Sequence, residues 1–454
     1  MVALRLPPVD LQEDCGSTTL SLMPLCWKAL AGDFLGNRII MHAMPCVALT
    51  WILIRRGEDP GEEAWTRLCA VAYAKLLCAR IRLAPPRRRD PQMPASPPVK
   101  RVFWFDDHKT PNVADVLANE ADIVVHRLAF DAPEEQNWAV MTKAHAYCIT
   151  SARDEVPDQF KGTAALIARC PELLVMSTSG AGYDPVDVAA CTEAGILVVN
   201  QSGANAEAVA EHVVAMMLSL SKNIPQTDRS LRQERGLDRE VFKGRNAQGR
   251  TIGIIGLGEV GRRVARICGQ GLEMQVLAYD PYIEAADFRE RGAMAVGLDE
   301  LLAQADYVTI HCPYNRETKS MIGRRELGLM RPEAYLITTA RGGIVDEQAL
   351  AEALAAGQLA GAGVDVWNVE PPPLDHQLLT FDNVIATYHT AGVTVDSRHA
   401  MAQWNAEQLR QIFRGERPPR LINPEAWAKF AQRFERAFGF RPASAPPMIA
   451  GAAH

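Results

Sequence analysis

The chain has 454 residues, 48% of them hydrophobic and 22% charged, and a formal net charge of -6 at pH 7. That length exceeds one ordinary core, so at least two domains are expected, and the acidic balance gives no electrostatic case for a nucleic-acid partner. The ten cysteines form no C-x-x-C pair and no Cys/His cluster with zinc spacing, so no metal is expected, and free thiols in a reducing, cytoplasmic setting are.

The chain begins unlike the rest. Residues 1–96 carry five of the ten cysteines, three of the eight tryptophans and the run Pro85-Pro86-Arg87-Arg88-Arg89, with no clean helix or strand period. The apolar run from Ile39 to Ile54 contains His42 and Pro45 and falls short of the roughly 20 residues a membrane helix needs, so no membrane partner is expected. Asp10, Glu13 and Asp14 stand where a signal peptide would be positive. This stretch reads as a poorly ordered extension, with a start at Met93 the expectation and a lipid-associated or regulatory segment the alternative.

From Lys100 onward apolar runs alternate with helical patterns. Arg101–Phe105, Tyr147–Thr150, Leu173–Ser177 and Gly195–Asn200 read as a set of parallel strands buried on both faces. A helix from about Ala206 to Ser221 follows, with Val209, Val213, Met216, Met217 and Leu220 on one side. Between Asp228 and Arg250 the chain is charged and Gly-punctuated, and no strand is assigned. A second α/β unit starts at Thr251 and runs to Thr387, and a helix from about Asp396 to Phe413 leads the chain back. Trp427, Phe430, Phe434 and Phe438 then recur at helical spacing, read as packing rather than as a ligand site. From Arg441 an Ala/Pro-rich tail reads as disordered.

The strand Thr251–Ile255 runs into Gly256-Leu257-Gly258-Glu259-Val260-Gly261 and then a helix. In such a turn Gly256 permits the bend, Gly258 admits a pyrophosphate and Gly261 allows close helix–strand packing. A second strand, Val276–Asp280, ends in an acid. A carboxylate there accepts from ribose hydroxyls and repels a 2′-phosphate, which favours NAD over NADP as the cofactor. Arg262 and Arg263 read as lying on the exposed helix face.

Three further phrases carry chemistry. Arg341 lies in Thr338-Thr339-Ala340-Arg341-Gly342-Gly343, Glu370 closes Asp365-Val366-Trp367-Asn368-Val369-Glu370, and His389 ends Thr387-Tyr388-His389. With Gly180-Ala181-Gly182-Tyr183-Asp184, Asn200-Gln201-Ser202-Gly203-Ala204-Asn205, Val209-Ala210-Glu211, and His311-Cys312-Pro313 with Thr318, the chain resembles the D-isomer-specific 2-hydroxyacid dehydrogenases from about Ala144 to Asn423. The resemblance implies an α/β fold: a Rossmann doubly wound parallel sheet, residues 205–389, inserted into a flavodoxin-like α/β substrate domain, residues 97–204 and 390–425. The C-terminal helix and tail would occupy 426–454. It also implies a homodimer formed largely by the nucleotide domains.

By the same resemblance the substrate is a small 2-hydroxy or 2-keto acid, and Arg341, Glu370 and His389 are the catalytic residues. His389 would pass the proton, Glu370 would orient and charge its ring, and Arg341 would hold the carboxylate and polarise the carbonyl. The amides around Ala181 and Gly182 would complete the carboxylate cradle. Gly256, Gly258, Glu259, Val260, Gly261 and Asp280 are expected to bind the cofactor, with Pro313 and Thr318 along its adenosine-to-ribose side. Thr339, Ala340, Arg341, Asp365 and His389 would lie at its nicotinamide end, and Asp365 could instead tune the imidazole. His311 and His212 read as wall and packing residues.

Five positions depart from the family. Tyr388 stands where Pro is usual, Ser202 replaces a common Pro, Glu259 occupies a slot often basic or amide, and Thr150 and Thr178 stand where phosphoglycerate dehydrogenases tend to carry Arg. A substrate lacking a phosphate is therefore expected, although Arg153 lies nearby. Phosphoglycerate dehydrogenase is the enzymatic alternative, and a non-catalytic NAD-sensing corepressor the contrasting one.

Overall fold

The structure is a computed structural model and describes residues 98–105, 112–152 and 154–443. The expectations for residues 1–96, for Arg153 and for the tail beyond residue 443 lie outside the described residues. Within them the chain folds as two parallel sheets covered by helices.

The first sheet contains β1 (Lys100–Phe105), β2 (Ile123–Leu128), β3 (Ala146–Ile149), β4 (Val175–Thr178) and β5 (Leu197–Val199), in the order β2-β1-β3-β4-β5. Every pairing in it is parallel. β3, β4 and β5 are buried along their whole length, because helices cover both faces of such a sheet. β2 is absent from the set of strands read from the sequence. It pairs with β1 alone, Val124 on it is exposed, and His126 and Arg127 break the apolar run. An edge strand buries too little to write a continuous hydrophobic signal.

The second sheet contains β6 (Thr251–Ile255), β7 (Gln275–Tyr279), β8 (Met294–Ala295), β9 (Tyr307–Ile310), β10 (Tyr335–Thr338), β11 (Gly361–Val364) and β12 (Val384–Ala386), ordered β12-β11-β10-β9-β6-β7-β8. The order reverses at β6, which pairs with both β7 and β9. A crevice opens at the carboxyl ends of the strands at such a switch point, and that is where doubly wound sheets bind ligands.

Among the helices that connect and cover these layers, five bear on the site and its anchoring: α1 (Ala206–Ser221), α2 (Ile224–Gln233), α3 (Gly261–Arg266), α4 (Val395–Phe413) and α5 (Trp427–Phe438). α1 enters the second sheet, burying Val213, Met216 and Met217 with Ile252, Ile254 and Ile337. Between Asp228 and Arg250 there is no strand, as expected, only the end of α2 and a short 3-10 turn at Arg239–Phe242.

α4 returns the chain to the first sheet. Its start is fixed by a capping box, in which the Ser397 amide donates to Thr394 Oγ1 at 3.1 Å and the Thr394 amide donates to Ser397 Oγ at 3.1 Å. Ala406, Leu409, Ile412 and Phe413 then join Val102, Val175 and Leu197 in one core. Trp427, Phe430, Phe434 and Phe438 of α5 enter the same core, since steps of three and four residues align them on one helix face. Phe434→Ala should therefore cost about 3–5 kcal/mol of stability. Urea unfolding checks this, and a loss below about 1 kcal/mol would mean that α5 is not part of the folded core.

Candidate active site

One cleft of ≈ 1280 Å³ lies between the two sheets. The fingerprint loop forms its cofactor side. Gly256 has φ +90°, and a Cβ there would meet the Cys312 amide nitrogen at 2.8 Å; a Cβ on Gly261 would stand 2.1 Å from the Gly256 carbonyl oxygen. Gly261 is thus buried packing, while Gly258 faces open space in the cleft.

The amides of Gly258, Glu259 and Val260 have no acceptor among the described residues. Asp280, at the end of β7, accepts from the Leu257 amide at 2.9 Å and the Tyr282 amide at 3.1 Å, which fixes its carboxylate at the rim. Pro313, Thr318, Thr339 and Ala340 line the same cleft. The buried Thr339 hydroxyl has no partner among the described residues. Open space before a glycine, unpaired amides, a fixed carboxylate and an orphaned hydroxyl fit a dinucleotide.

Glu259 does not repel an anion there. Its carboxylate bonds Arg262 Nη2 at 2.6 Å and Arg263 Nη1 at 2.9 Å. Burial pushes its pKa up, but the two guanidinium hydrogen bonds outweigh that and leave it below the usual carboxylate value. Arg262 is exposed, as expected, but the same expectation for Arg263 is corrected. Arg263 is mostly buried and also pairs with Glu207 at 3.1 Å.

On the other side of the cleft His389 Nδ1 and Glu370 Oε2 are 2.8 Å apart. The second Glu370 oxygen accepts from the Trp367 amide at 2.9 Å. His389 Nε2 has no partner among the described residues, and both side chains line the cleft. Burial alone would lower the imidazole pKa; the hydrogen bond and charge of Glu370 outweigh it and hold it above 6.5, against an opposing push from Arg341. Burial likewise raises the Glu370 carboxyl, yet His389 brings it below its ordinary value. The pair thus favours a charged imidazolium beside a carboxylate.

Arg341 reaches across from the end of β10. Its Nε donates to Asp184 Oδ2 at 3.0 Å and its Nη1 to the Ala340 carbonyl at 2.7 Å. Nη2 stands over Gly182, where a Cβ would lie 1.8 Å away. The loop beneath is tied back by its carbonyls, with Asn200 Nδ2 donating to the Ala181 oxygen at 2.7 Å and the Gln201 amide to that of Gly180 at 2.9 Å. The Ala181 and Gly182 amides have no acceptor among the described residues. A cation and two free amides converge on one spot. This geometry fits a carboxylate.

Asp365 is fully buried. Its carboxylate accepts from Thr387 Oγ1 at 2.5 Å, the Thr390 amide at 2.8 Å and the Ala391 amide at 3.0 Å, so it grips the loop that carries His389. His311 is half-buried at the cleft wall, and burial pushes its pKa down to about 3, so it is a neutral wall residue. His212 is more than packing, since its Nε2 lies 3.3 Å from Thr387 Oγ1. Sequence reasoning assigned no role to Asp184, although the residue closes a quoted motif; nothing local marked Thr387 or Asp154. Burial pushes the Asp154 carboxyl up, and the charges of Glu370 and Glu155 add to that.

Residues 214–391 match the NAD binding domain of the D-isomer specific 2-hydroxyacid dehydrogenases. A glyoxylate reductase of Korarchaeum cryptofilum is 37% identical over 266 residues, 58% of this chain and 80% of that protein. The chain belongs to the D-isomer-specific 2-hydroxyacid dehydrogenase family. The D-3-phosphoglycerate dehydrogenase of Archaeoglobus fulgidus is 40% identical over 260 residues, 57% of this chain and 49% of that protein. This chain spans about half the length of such relatives. Among solved structures, a 2-hydroxyacid dehydrogenase from Ketogulonicigenium vulgare is 30% identical with a TM-score of 0.61, over 72% of this chain and 98% of that one.

Of the departures from the family, Ser202, Glu259 and Tyr388 line the cleft. Tyr388 is 76% exposed and lines it, whereas Trp367 is core, its Nε1 donating to the Thr387 carbonyl at 3.0 Å. Thr150 and Thr178 are buried, and their hydroxyls donate to the Ala152 and Gly180 carbonyls at 3.4 and 3.0 Å. Gly182→Ala should displace the Arg341 guanidinium and also press on the Ser151 carbonyl oxygen, 2.8 Å from the new Cβ, so Tm should fall as well. Substrate KM should rise by about tenfold or more while NADH binding persists; an unchanged KM in steady-state kinetics would show that Arg341 does not sit over Gly182 in the working protein.

Proposed function

We propose that this chain is an NAD-dependent oxidoreductase interconverting a D-2-hydroxy acid and its 2-keto acid. The observation that carries this is the His389–Glu370 pair at 2.8 Å, with Nε2 free in the cleft that Arg341 and the fingerprint loop also line. Bound in that cleft, NADH supplies the hydride.

The residues divide the remaining tasks. Arg341 Nη2 and the Ala181 and Gly182 amides hold the substrate carboxylate, and the guanidinium polarises the adjacent carbonyl. His389 gives its Nε2 proton to the carbonyl oxygen and recovers it in the oxidative direction. Glu370 keeps the ring oriented, with its charge stabilising the imidazolium. Glu259, Val260 and Asp280 hold the cofactor's pyrophosphate and ribose, and Thr339, Ala340 and Asp365 border its nicotinamide end.

The buried threonines at positions 150 and 178 support a substrate without a phosphate. The reading that competes is D-3-phosphoglycerate dehydrogenase, favoured by the name of the 40% identical Archaeoglobus relative. Ile224, Leu231, Leu237 and Val241 on and after α2 are exposed apolar side chains of the nucleotide-binding half. They support a homodimer through that half. Light scattering should give twice the chain mass, and a monomer at micromolar concentration removes that part of the proposal.

NADH oxidation with glyoxylate, hydroxypyruvate, pyruvate, phenylpyruvate and 3-phosphohydroxypyruvate tests the function. Turnover of an unphosphorylated keto acid is expected, and preference for the phosphorylated one selects the competing reading. His389→Ala should abolish turnover and spare NADH binding. Reduction needs the protonated ring, so its rate should fall as pH rises through a value above 6.5. Unchanged turnover in His389→Ala, or an alkaline limb below that value, would overturn the assigned roles.

A further inference from the structure

His389 adopts φ +52°, a left-handed conformation that non-glycine residues rarely hold unaided. The surrounding contacts show what holds it. The His389 amide donates to the Asp365 carbonyl at 2.8 Å and the Thr387 amide to that of Val364 at 3.0 Å. The Asp365 carboxylate takes the amides of Thr390 and Ala391 and the hydroxyl of Thr387. Behind that hydroxyl stands His212 of α1, with Nε2 3.3 Å from Thr387 Oγ1 and 3.8 Å from Asp365 Oδ1.

The direction of this chain follows from counting hydrogens. A threonine hydroxyl has one, and at 2.5 Å from a carboxylate oxygen it belongs to Asp365. Thr387 Oγ1 must then accept from His212, which places a proton on His212 Nε2. The order is His212 N–H to Thr387 O–H to the Asp365 carboxylate, and from there to the amides of the catalytic loop.

We propose that His212 is a positioning residue for this reaction, acting through Thr387 and Asp365 to hold His389 in its left-handed conformation against Glu370. The proposal rests on His389 being the acid–base residue. His212 touches neither substrate nor cofactor in this role. It completes the donor shell around a buried carboxylate and makes α1 the wall against which the loop is set.

Burial pushes the His389 pKa down, Glu370 and Asp365 push it up and Arg341 pushes it down; among the described residues Asp154, with Glu155 beside it, is also coupled to this cluster. His212→Leu leaves all of these groups in place and removes only the contact of His212 with Thr387 and Asp365, so a shifted titration of His389 would report the loss of that support. In that variant kcat should fall by about tenfold or more with KM for NADH unchanged. The alkaline limb of reduction should move down towards the ordinary imidazole value. His212→Gln, which can still donate to Thr387, should recover most of both. Thr387→Val should reproduce the defect, and the double variant should be no worse than either single one.

The His389 titration is also read by NMR, with His389→Asn for assignment, and so needs no turnover. If the wild type reduces no keto acid, the functional proposal fails while the NMR shift still decides this one. An unmoved His389 titration in His212→Leu, or effects that simply add in the double variant, overturns it.

Discussion

The grip of the Asp365 carboxylate on residues 387–391 is the interaction on which the rest of the site depends. A buried carboxylate needs donors, and this one finds them in two backbone amides and a hydroxyl of a single loop. Satisfying Asp365 therefore shapes the loop. His389 is carried into a left-handed conformation with its ring beside Glu370. Glu370 is held independently by the Trp367 amide, and Trp367 is tied to the Thr387 carbonyl. Both ends of the acid–base pair are thus anchored around Thr387, one through the Asp365 carboxylate and the other through Trp367.

The opposite wall works by charge. Arg341 comes from the second sheet and Asp184 from a loop of the first, so their ion pair at 3.0 Å spans the cleft. It leaves the Nη edge of the guanidinium over Gly182, where a side chain would have filled the space. At the cofactor end the same logic protects an anion site: two arginines absorb the charge of Glu259, while neighbouring amides remain unpaired. At both places backbone amides without an acceptor among the described residues stand beside arginine side chains, which favours an anionic group there.

Elements buried on both faces were legible in the sequence. β3, β4, β5 and β6 write continuous apolar runs because solvent touches neither side. α5 was legible from four aromatic residues at helical steps, although periodicity did not say which surface they cover; the core containing Val102 and Leu409 does. β2 was not legible, because an edge strand that alternates Val, His and Arg lacks that signature. In the site, Arg341, Glu370 and His389 stood out through the phrases around them. Asp184 stood in such a phrase without its partner being visible, 157 positions away.

The sequence by itself determined the fold class, the fingerprint turn and the identity of the residues available for chemistry. Those properties reside in local pattern: strand runs, glycine spacing, and side chains of a given type in a given phrase. Only the tertiary structure decided how these residues are used. It gave Arg263 a partner in Glu207, gave His212 a partner in Thr387, and made Asp365 a support for the loop. The physical reason is that a polar side chain acquires its role from whichever donor or acceptor the fold brings within about 3 Å, and for these residues that partner comes from another segment or another face.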